Sequence, residues 1–326
     1  MDDAPGVPPD LGRLAGMEQR TRRLTRGERA VRAGEVAARH GGVAHRADLR
    51  AVGVSRADVR SELAAGRWSR LGRHTVLLGT GAPGQEARWW QAVWETGAGA
   101  VLDGVSALQA AGLTGFAAGR IDVAIRTNNR VHRPPGVRVR QRRDLGPVMG
   151  AGIPRTRPEQ ATVRGALWAA SDRQAALVVC LAVQQRLVPP GRLLAAAGAH
   201  GPHRRRRLVQ QVVADVCDGA HSLGELDLGR WCHRYGIPPP TRQRVRIVAG
   251  GRVYLDAAWE DAGLVVEVDG GHHALALGPV DDALRQNELA LGSDLVLRLP
   301  VLGLRLEPER FMDQVRRGHE RRTRAA

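Results

Sequence analysis

Two short apolar runs, the first with one acidic residue and the second with two at alternate positions, constrain the fold of this chain more than any other feature. The runs span residues 252–259 and 264–269, and the residues between them are of the kinds that form turns. Both runs are therefore predicted to be strands of one β-hairpin. Because side chains alternate between the faces of a strand, Glu267 and Asp269 are expected to share one face, and Asp256 lies on one face of the partner strand.

Three carboxylates converge at one place if these two faces coincide. Carboxylates at close range repel one another unless a cation lies between them, and burial among Val and Leu without a partner is costly. Mg²⁺ is held by one or two carboxylates, with water and phosphate in its remaining positions, and it supports phosphodiester hydrolysis. The hairpin therefore predicts a site for Mg²⁺ or Mn²⁺ with Asp256, Glu267 and Asp269 as ligands. The alternative interpretation is a strand pair with polar ends and a solvated acidic turn.

The residues after the hairpin extend this pattern. They are His272-His273, then Asp282-x-x-Arg285-x-Asn287, then a strand-like run ending in Val296-Leu297-Arg298. In this order the set resembles a restriction-endonuclease-like nuclease of the PD-(D/E)XK superfamily, and more narrowly the domains related to very-short-patch-repair endonucleases. The resemblance covers about residues 220–318.

The resemblance implies an α/β/α domain with metal-dependent endonuclease activity on DNA. It implies that Asp256 and Glu267 are metal ligands and that Glu225, on the preceding helix, is a further acidic member of the site. Arg285 and Asn287 are expected to orient the DNA backbone or to support the site.

One departure from the superfamily pattern concerns activity rather than fold. The superfamily usually has lysine two residues after the glutamate, whereas this chain has Asp269 there and contains no lysine at all. His272 or His273 is expected to act instead as the general base or as a phosphate contact, because imidazole titrates near neutral pH.

The charge balance indicates a polyanionic partner. The net charge is +16, with 49 basic residues against 33 acidic ones, which favours contact with nucleic acid, most simply double-stranded DNA. Codon bias in a GC-rich genome is an alternative source of arginine. It accounts for the lack of lysine but not for the excess of basic over acidic residues.

The spacing of the cysteines and the length of the apolar runs predict the cellular compartment. Its three cysteines are widely spaced, which favours reduced thiols in a cytosolic protein. No run of about 18 apolar residues is present. A soluble, cytoplasmic protein without membrane contact is expected.

The N-terminal part has the order of elements of a winged helix-turn-helix. Residues 1–27 are predicted to be a flexible arm, and residues 28–80 read as helix, helix, turn, helix and hairpin. Ser55 begins the third helix, with Asp58 in the position of a capping box. This helix is expected to read DNA, and the hairpin to contact phosphates. The predicted contact residues are Arg56, Arg60, Arg70 and Arg73.

This segment also resembles the N-terminal domain of AbiEi-type antitoxins. The resemblance lies in Gly41-Gly42-Val43, Gly53-Val54-Ser55 and Gly66-Arg67-Trp68, and it continues through an α+β middle region over residues 84–217. The resemblance suggests a toxin or defence-system partner but does not establish one. The alternative is a helical module that packs on the rest of the chain, or contacts protein, and binds no DNA.

The sequence thus predicts an α/β multi-domain chain. It has an N-terminal winged helix-turn-helix, a mixed α+β middle region and a C-terminal restriction-endonuclease-like α/β/α domain over residues 218–326. In the middle region, Val101 to Ala111 are expected to form one helix. In the C-terminal domain, Val301 to Arg305 are expected to form a short strand. The functional hypothesis is a metal-dependent DNA endonuclease, and the alternative is a catalytically inactive, DNA-binding, antitoxin-like regulator.

Overall fold

The computed structural model describes residues 24–217, 228–248, 252–269, 280, 283–284, 286–287 and 296–323, without the side chains of 244–248, 252–256 and 322–323. These residues form a mixed α/β structure that contains three β-sheets. The chain divides into two units, residues 1–87 and residues 88–326. No helix in the described ranges is both long enough and apolar enough to cross a membrane.

In its described residues, 24–87, the first unit contains three complete helices and a three-stranded antiparallel sheet with the order β1-β3-β2. Its elements are α1 (Arg26–Ala38), β1 (Val43–His45), α2 (Arg46–Ala51), α3 (Arg56–Ala64), β2 (Ser69–Arg70) and β3 (Thr75–Leu77). Helix α1 begins inside the segment that was expected to be an arm, because Thr25 caps it and forms a capping box with Glu28. The arm residues 1–23 lie outside the described part of the chain.

Local sequence explains the turn between α2 and α3. Gly53 has a φ of +85°, a conformation that residues with a Cβ seldom adopt. Ser55 then caps α3, and its hydroxyl oxygen and the Asp58 carboxylate each accept a hydrogen bond from the other residue's backbone N–H, which confirms the predicted capping box. The core beneath these elements is formed by Ala33, Ala44, Leu49, Val54, Val59, Trp68 and Val76.

The second unit begins with a five-stranded sheet. Helix α4 (Gln85–Thr96) precedes it, and α5 (Gly104–Ala110) follows its first strand. The strands are β4 (Val101–Leu102), β5 (Ile121–Arg126), β6 (Val137–Arg142), β7 (Val148–Met149) and β8 (Arg155–Thr156), in the order β6-β5-β4-β8-β7. The expected helix from Val101 to Ala111 is therefore wrong at its start. Val101 and Leu102 pair with β5, and Asp103 caps the helix that follows.

Four helices pack together after this sheet. They are α6 (Pro158–Leu167), α7 (Asp172–Gln184), α8 (Pro190–Ala199) and α9 (Arg206–Cys217). Proline stands in the first turn of α6 and of α8, where its missing N–H leaves no helical bond unmade. Leu167, Val179, Leu193 and Val213 belong to their shared core.

The last part of the chain forms a four-stranded sheet with helices on its apolar face. Its elements are α10 (Leu228–Arg234), β9 (Arg242–Val248), β10 (Arg252–Trp259), β11 (Leu264–Asp269), β12 (Val296–Pro300), α11 (Val301–Leu306) and α12 (Pro308–Thr323). The order is β12-β11-β10-β9, and β12 runs parallel to β11 while the other pairs are antiparallel. Leu264, Val266 and Val268 are fully buried and share one core with Leu228 of α10 and Phe311 of α12.

The predicted strand from Val301 to Arg305 is instead helix α11. Val301 and Leu304, three residues apart, pack into the core of the four-stranded sheet, whereas Leu302 packs into the core of helices α6 to α9. Arg305 Nε also lies 3.2 Å from Asp215 Oδ2 on α9. A helix presents side chains to both neighbours in this way, and α11 thereby joins the middle and last parts of the second unit.

Candidate functional site

The first unit contains a basic concavity between α2, α3 and the β2–β3 hairpin. Its volume is 740 Å³, and its lining comprises six arginines, two histidines and four apolar residues. The charged and imidazole side chains are His45, Arg46, Arg50, Arg56, Arg60, Arg70, Arg73 and His74. The lining contains no carboxylate, so it presents a positive surface to a ligand.

Helix α3 separates its basic and acidic residues onto different faces. Arg56 and Arg60, four residues apart, face the concavity, whereas Asp58 and Glu62 are buried on the other side. Arg29 of α1 lies 3.4 Å from an Asp58 oxygen and 3.1 Å from a Glu62 oxygen. The acidic residues of this helix are therefore neutralised inside the unit and do not reduce the positive charge of the concavity.

The pKa of Glu62 reflects this pairing. The hydrogen bond from Arg67, 2.6 Å long, is the largest cause that lowers the pKa of Glu62, and Arg29 adds to it. Burial opposes the shift because it penalises the charged carboxylate. The net effect is a glutamate held in its ionised form.

All four arginines predicted from the sequence to contact DNA line this one concavity. Arg56 and Arg60 come from α3, and Arg70 and Arg73 from the hairpin. Sequence reasoning missed the contribution of α2 and the stacked pair formed by two histidine rings, His45 and His74, with centroids 5.6 Å apart. The missed arginines, Arg46 and Arg50, were detectable from their spacing of four residues on a short helix.

The four-stranded sheet brings the predicted acidic residues into register. Asp256 of β10 pairs with Glu267 of β11, and Tyr254 pairs with Asp269. On β11 burial alternates, with the apolar residues buried and Val265, Glu267 and Asp269 half-buried. The predicted shared face of Glu267 and Asp269 is thus the more open face of the sheet.

Arginines flank the Asp256–Glu267 pair on both neighbouring strands. Arg244 of β9 is the register partner of Asp256, and Arg298 of β12 is the register partner of Glu267. Arg298 Nε lies 3.4 Å from Glu267 Oε2, and the Arg298 side chain is 69% exposed. A row of basic, acidic, acidic and basic residues therefore crosses the four strands.

Asn287 has a supporting position. Its side chain is 1% exposed and donates hydrogen bonds to the Arg298 carbonyl, at 2.9 Å, and to Gln314 Oε1, at 3.0 Å. It also accepts a bond from the Arg298 backbone N–H at 2.9 Å. These bonds fix the strand that bears Arg298, and they occupy the Asn287 amide, which is therefore not available to a substrate.

The remaining predicted site residues lie outside the described residues. They are Glu225, His272, His273 and Arg285, together with the side chain of Asp256. Within the described residues no group of three His, Cys, Asp or Glu side chains is placed to hold a metal ion. The residue types fit a hard divalent cation, since two acidic residues, Asp256 and Glu267, occupy directly opposite register positions on adjacent strands.

No protein-family model matches the chain, and no curated protein matches it.

Proposed function

We propose that this protein is a metal-dependent DNA endonuclease that binds DNA through its first unit. The observation that carries the proposal is the register of Asp256 and Glu267 on adjacent strands, on the face of the sheet where Glu267 and Asp269 are half-buried. A helix, a β-meander with the acidic residues and a closing strand were all expected from the resemblance to PD-(D/E)XK nucleases, and α10 and β9 to β12 have this order.

In the proposed site Asp256 and Glu267 hold Mg²⁺, and Asp269 completes the acidic face or positions water. When bound, the ion lowers the pKa of a coordinated water and neutralises charge on the phosphodiester. Arg298 supplies positive charge beside Glu267, which the superfamily usually obtains from lysine. Its exposed guanidinium is available to hold a phosphate oxygen and to orient the DNA backbone.

The proposed DNA-binding module is a winged helix-turn-helix. Its support is the order α1-β1-α2-α3-β2-β3, with the sheet order β1-β3-β2, and the arginine-lined concavity between α3 and the hairpin. We propose that α3 enters the major groove and that hairpin arginines contact phosphates, which positions the DNA but does not read its sequence. Double-stranded DNA is the proposed partner.

A second candidate function is a DNA-binding, antitoxin-like regulator without nuclease activity. Two observations favour it. Asp269 stands where the superfamily has lysine, and Glu267 is already paired with Arg298. An ion pair at this position stabilises the sheet without a metal.

Cleavage assays distinguish the two functions. Supercoiled plasmid and labelled single- and double-stranded oligonucleotides would be incubated with Mg²⁺ or Mn²⁺, with EDTA as a control. The endonuclease predicts metal-dependent cutting that is lost in Glu267→Ala and retained in Glu260→Gln. Glu260 is an exposed residue in the turn of the same hairpin, so its variant controls for the loss of a negative charge. DNA binding without cutting by the unmodified protein would support the regulator.

A further inference from the structure

The edge strand of the five-stranded sheet carries a row of arginines. β6 is one of the two edge strands of this sheet. Arg138, Arg140 and Arg142 occupy alternate positions along β6, so they lie on the same face. All three are half-buried. Their register partners on β5 are Asp122, Ala124 and Arg126.

The buried acidic residues beside this row already have partners. Asp122 accepts hydrogen bonds from Nε and Nη2 of Arg138 at 2.6 and 3.0 Å. Asp103, which is fully buried, accepts from Thr156 Oγ1 at 2.8 Å and from Arg164 Nη1 at 3.0 Å. Each carboxylate is thus matched by one arginine.

Arg140 and Arg142 have no such match. Among the described residues neither guanidinium forms an ion pair, and the Nε atom of each is buried without a hydrogen-bond partner. Burial is the largest cause that lowers the pKa of both arginines. The guanidinium of Arg140 stacks on the ring of Trp168, 4.1 Å from its centroid, and is thereby held in place.

Two histidines, His200 and His203, lie in the connection between α8 and α9. His200 is half-buried, and its Nε2 atom has no hydrogen-bond partner in the described structure. Burial is the main cause that lowers the pKa of His200, and the charges of Arg142 and Arg164 add to it. Burial likewise lowers the pKa of His203, and Arg140 is among the nearby charges. Each histidine therefore interacts electrostatically with one arginine of the row.

An excess of half-buried cationic groups favours the binding of an anion. Arg138, Arg140, Arg142 and Arg164 carry four positive charges, against two buried carboxylates, Asp103 and Asp122, and the exposed carboxylate of Asp144. Uncompensated charge out of water costs free energy, and a bound anion removes that cost. We propose that Arg140 and Arg142, together with the two histidines of the α8–α9 connection, form a binding site for a phosphate group.

Phosphate suits these side chains for geometric reasons. A guanidinium presents a planar fork of N–H donors that matches two oxygens of a phosphate, and imidazole N–H groups add single donors. The Trp168 ring restricts Arg140 to one orientation, and Gly104, with φ +51°, makes room for this ring, since a Cβ there would lie 3.1 Å from it. The phosphate belongs either to a nucleic-acid backbone or to a free phosphate compound. The site is independent of the metal site on the four-stranded sheet.

The test uses the full-length protein and two probes. Pyrophosphate binding is measured by calorimetry, and binding of a labelled DNA duplex by fluorescence anisotropy, for wild type, Arg142→Gln and Arg143→Gln. Arg143 is the matched control, because it is the next residue, carries the same charge and is exposed. The expected result is that Arg142→Gln weakens pyrophosphate binding by about tenfold or more, while Arg143→Gln changes it less than twofold.

The DNA arm identifies the source of the phosphate. If Arg142→Gln also weakens DNA binding and pyrophosphate competes with the duplex, the ligand is a nucleic-acid backbone. If only pyrophosphate binding falls, the ligand is a free phosphate compound. Equal effects of Arg142→Gln and Arg143→Gln on both probes would overturn the proposal.

A second measurement does not depend on a folded variant. Phenylglyoxal modifies arginine side chains, and peptide mass spectrometry reports the extent at each position. Pyrophosphate is expected to protect Arg140 and Arg142 in the wild-type protein and to leave Arg143 unprotected. Equal modification with and without pyrophosphate would likewise overturn the site.

Discussion

Asp256 and Glu267 are register partners across the antiparallel strands β10 and β11. Directly opposite residues in such a pair have Cβ atoms about 5 Å apart, and like charges there destabilise the sheet. Arg298 offsets part of that repulsion from the neighbouring strand, where its Nε lies 3.4 Å from Glu267 Oε2. The arrangement places acidic residues where a divalent cation stabilises them further, which is the basis of the proposed activity.

Removal of arginines from the basic concavity is expected to weaken DNA binding. The variant Arg70→Gln with Arg73→Gln loses two proposed phosphate contacts, so the affinity for a duplex should fall and the slope of log K against log salt should decrease by about two. Fluorescence anisotropy at several salt concentrations measures both quantities. The control, Arg26→Gln with Arg39→Gln, removes the same charge from exposed positions flanking α1 that do not line the concavity. Equal losses in the two double variants would show that only net charge matters.

Asn287→Ala is expected to destabilise the last part of the chain. The substitution leaves the backbone N–H and C=O of Arg298 without their partner, and each lost buried bond costs about 1–3 kcal/mol. Calorimetric unfolding measures the effect. Gln286→Ala, at the exposed neighbouring position, should change stability by less than about 0.5 kcal/mol. A stable Asn287→Ala protein would contradict the bracing role of this amide.

The ion pairs of Glu62 predict a pH-dependent stability. The pKa of Glu62 in the folded protein is lowered from 4.5, and the hydrogen bond from Arg67 is the largest cause. The stability that the ion pairs of Glu62 contribute is therefore fully present above pH 4.5 and is lost as the pH falls through the lower pKa of the folded protein. Glu62→Gln should therefore lower the free energy of unfolding at pH 7 by about 1–3 kcal/mol, and the difference should shrink in acid. Urea titrations between pH 3 and 7 test this, with the exposed Glu35→Gln as control. A difference that does not vary with pH would disprove the assigned pairing.

The cysteines are expected to differ in reactivity. None of the three forms a disulfide, and burial raises the pKa of Cys180 to about 12, so little thiolate exists at pH 8. Iodoacetamide should modify the half-buried Cys217 before the buried Cys180 and Cys232 in the native protein, and all three after denaturation. Mass spectrometry of quenched samples gives the order. Early labelling of Cys180 would mean that its helix opens readily.

Local sequence signals predicted the elements on which the two candidate sites stand. The capping box of Ser55 and Asp58 fixed the start of α3, and strict alternation around Glu267 fixed β11 and its exposed face. Alternation and a short turn allowed Asp256 to share a face with Glu267 but left this open, and the hairpin register that places Asp256 opposite Glu267 decides it.

Elements that depend on distant partners were not predictable in the same way. The strand β4 has only two residues, Val101 and Leu102, and exists because it pairs with β5 and β8. The run from Val301 to Arg305 is short and apolar, and periodicity alone does not separate strand from helix there. The run is a helix because its side chains pack into two different cores, Val301 and Leu304 into one and Leu302 into the other. The lack of ion-pair partners for Arg140 and Arg142 of β6 was likewise not predictable, because it depends on which distant residues, such as Trp168, the fold places beside them.

The most direct test of the central claim is Mn²⁺ binding to the full-length protein, because it requires no knowledge of the substrate. Calorimetry or electron paramagnetic resonance would compare wild type with Asp256→Asn, Glu267→Gln and the control Glu260→Gln. We predict binding that is lost in both Asp256→Asn and Glu267→Gln and retained in Glu260→Gln. Binding that survives both substitutions, or no binding to the wild-type protein, would contradict the proposed metal site.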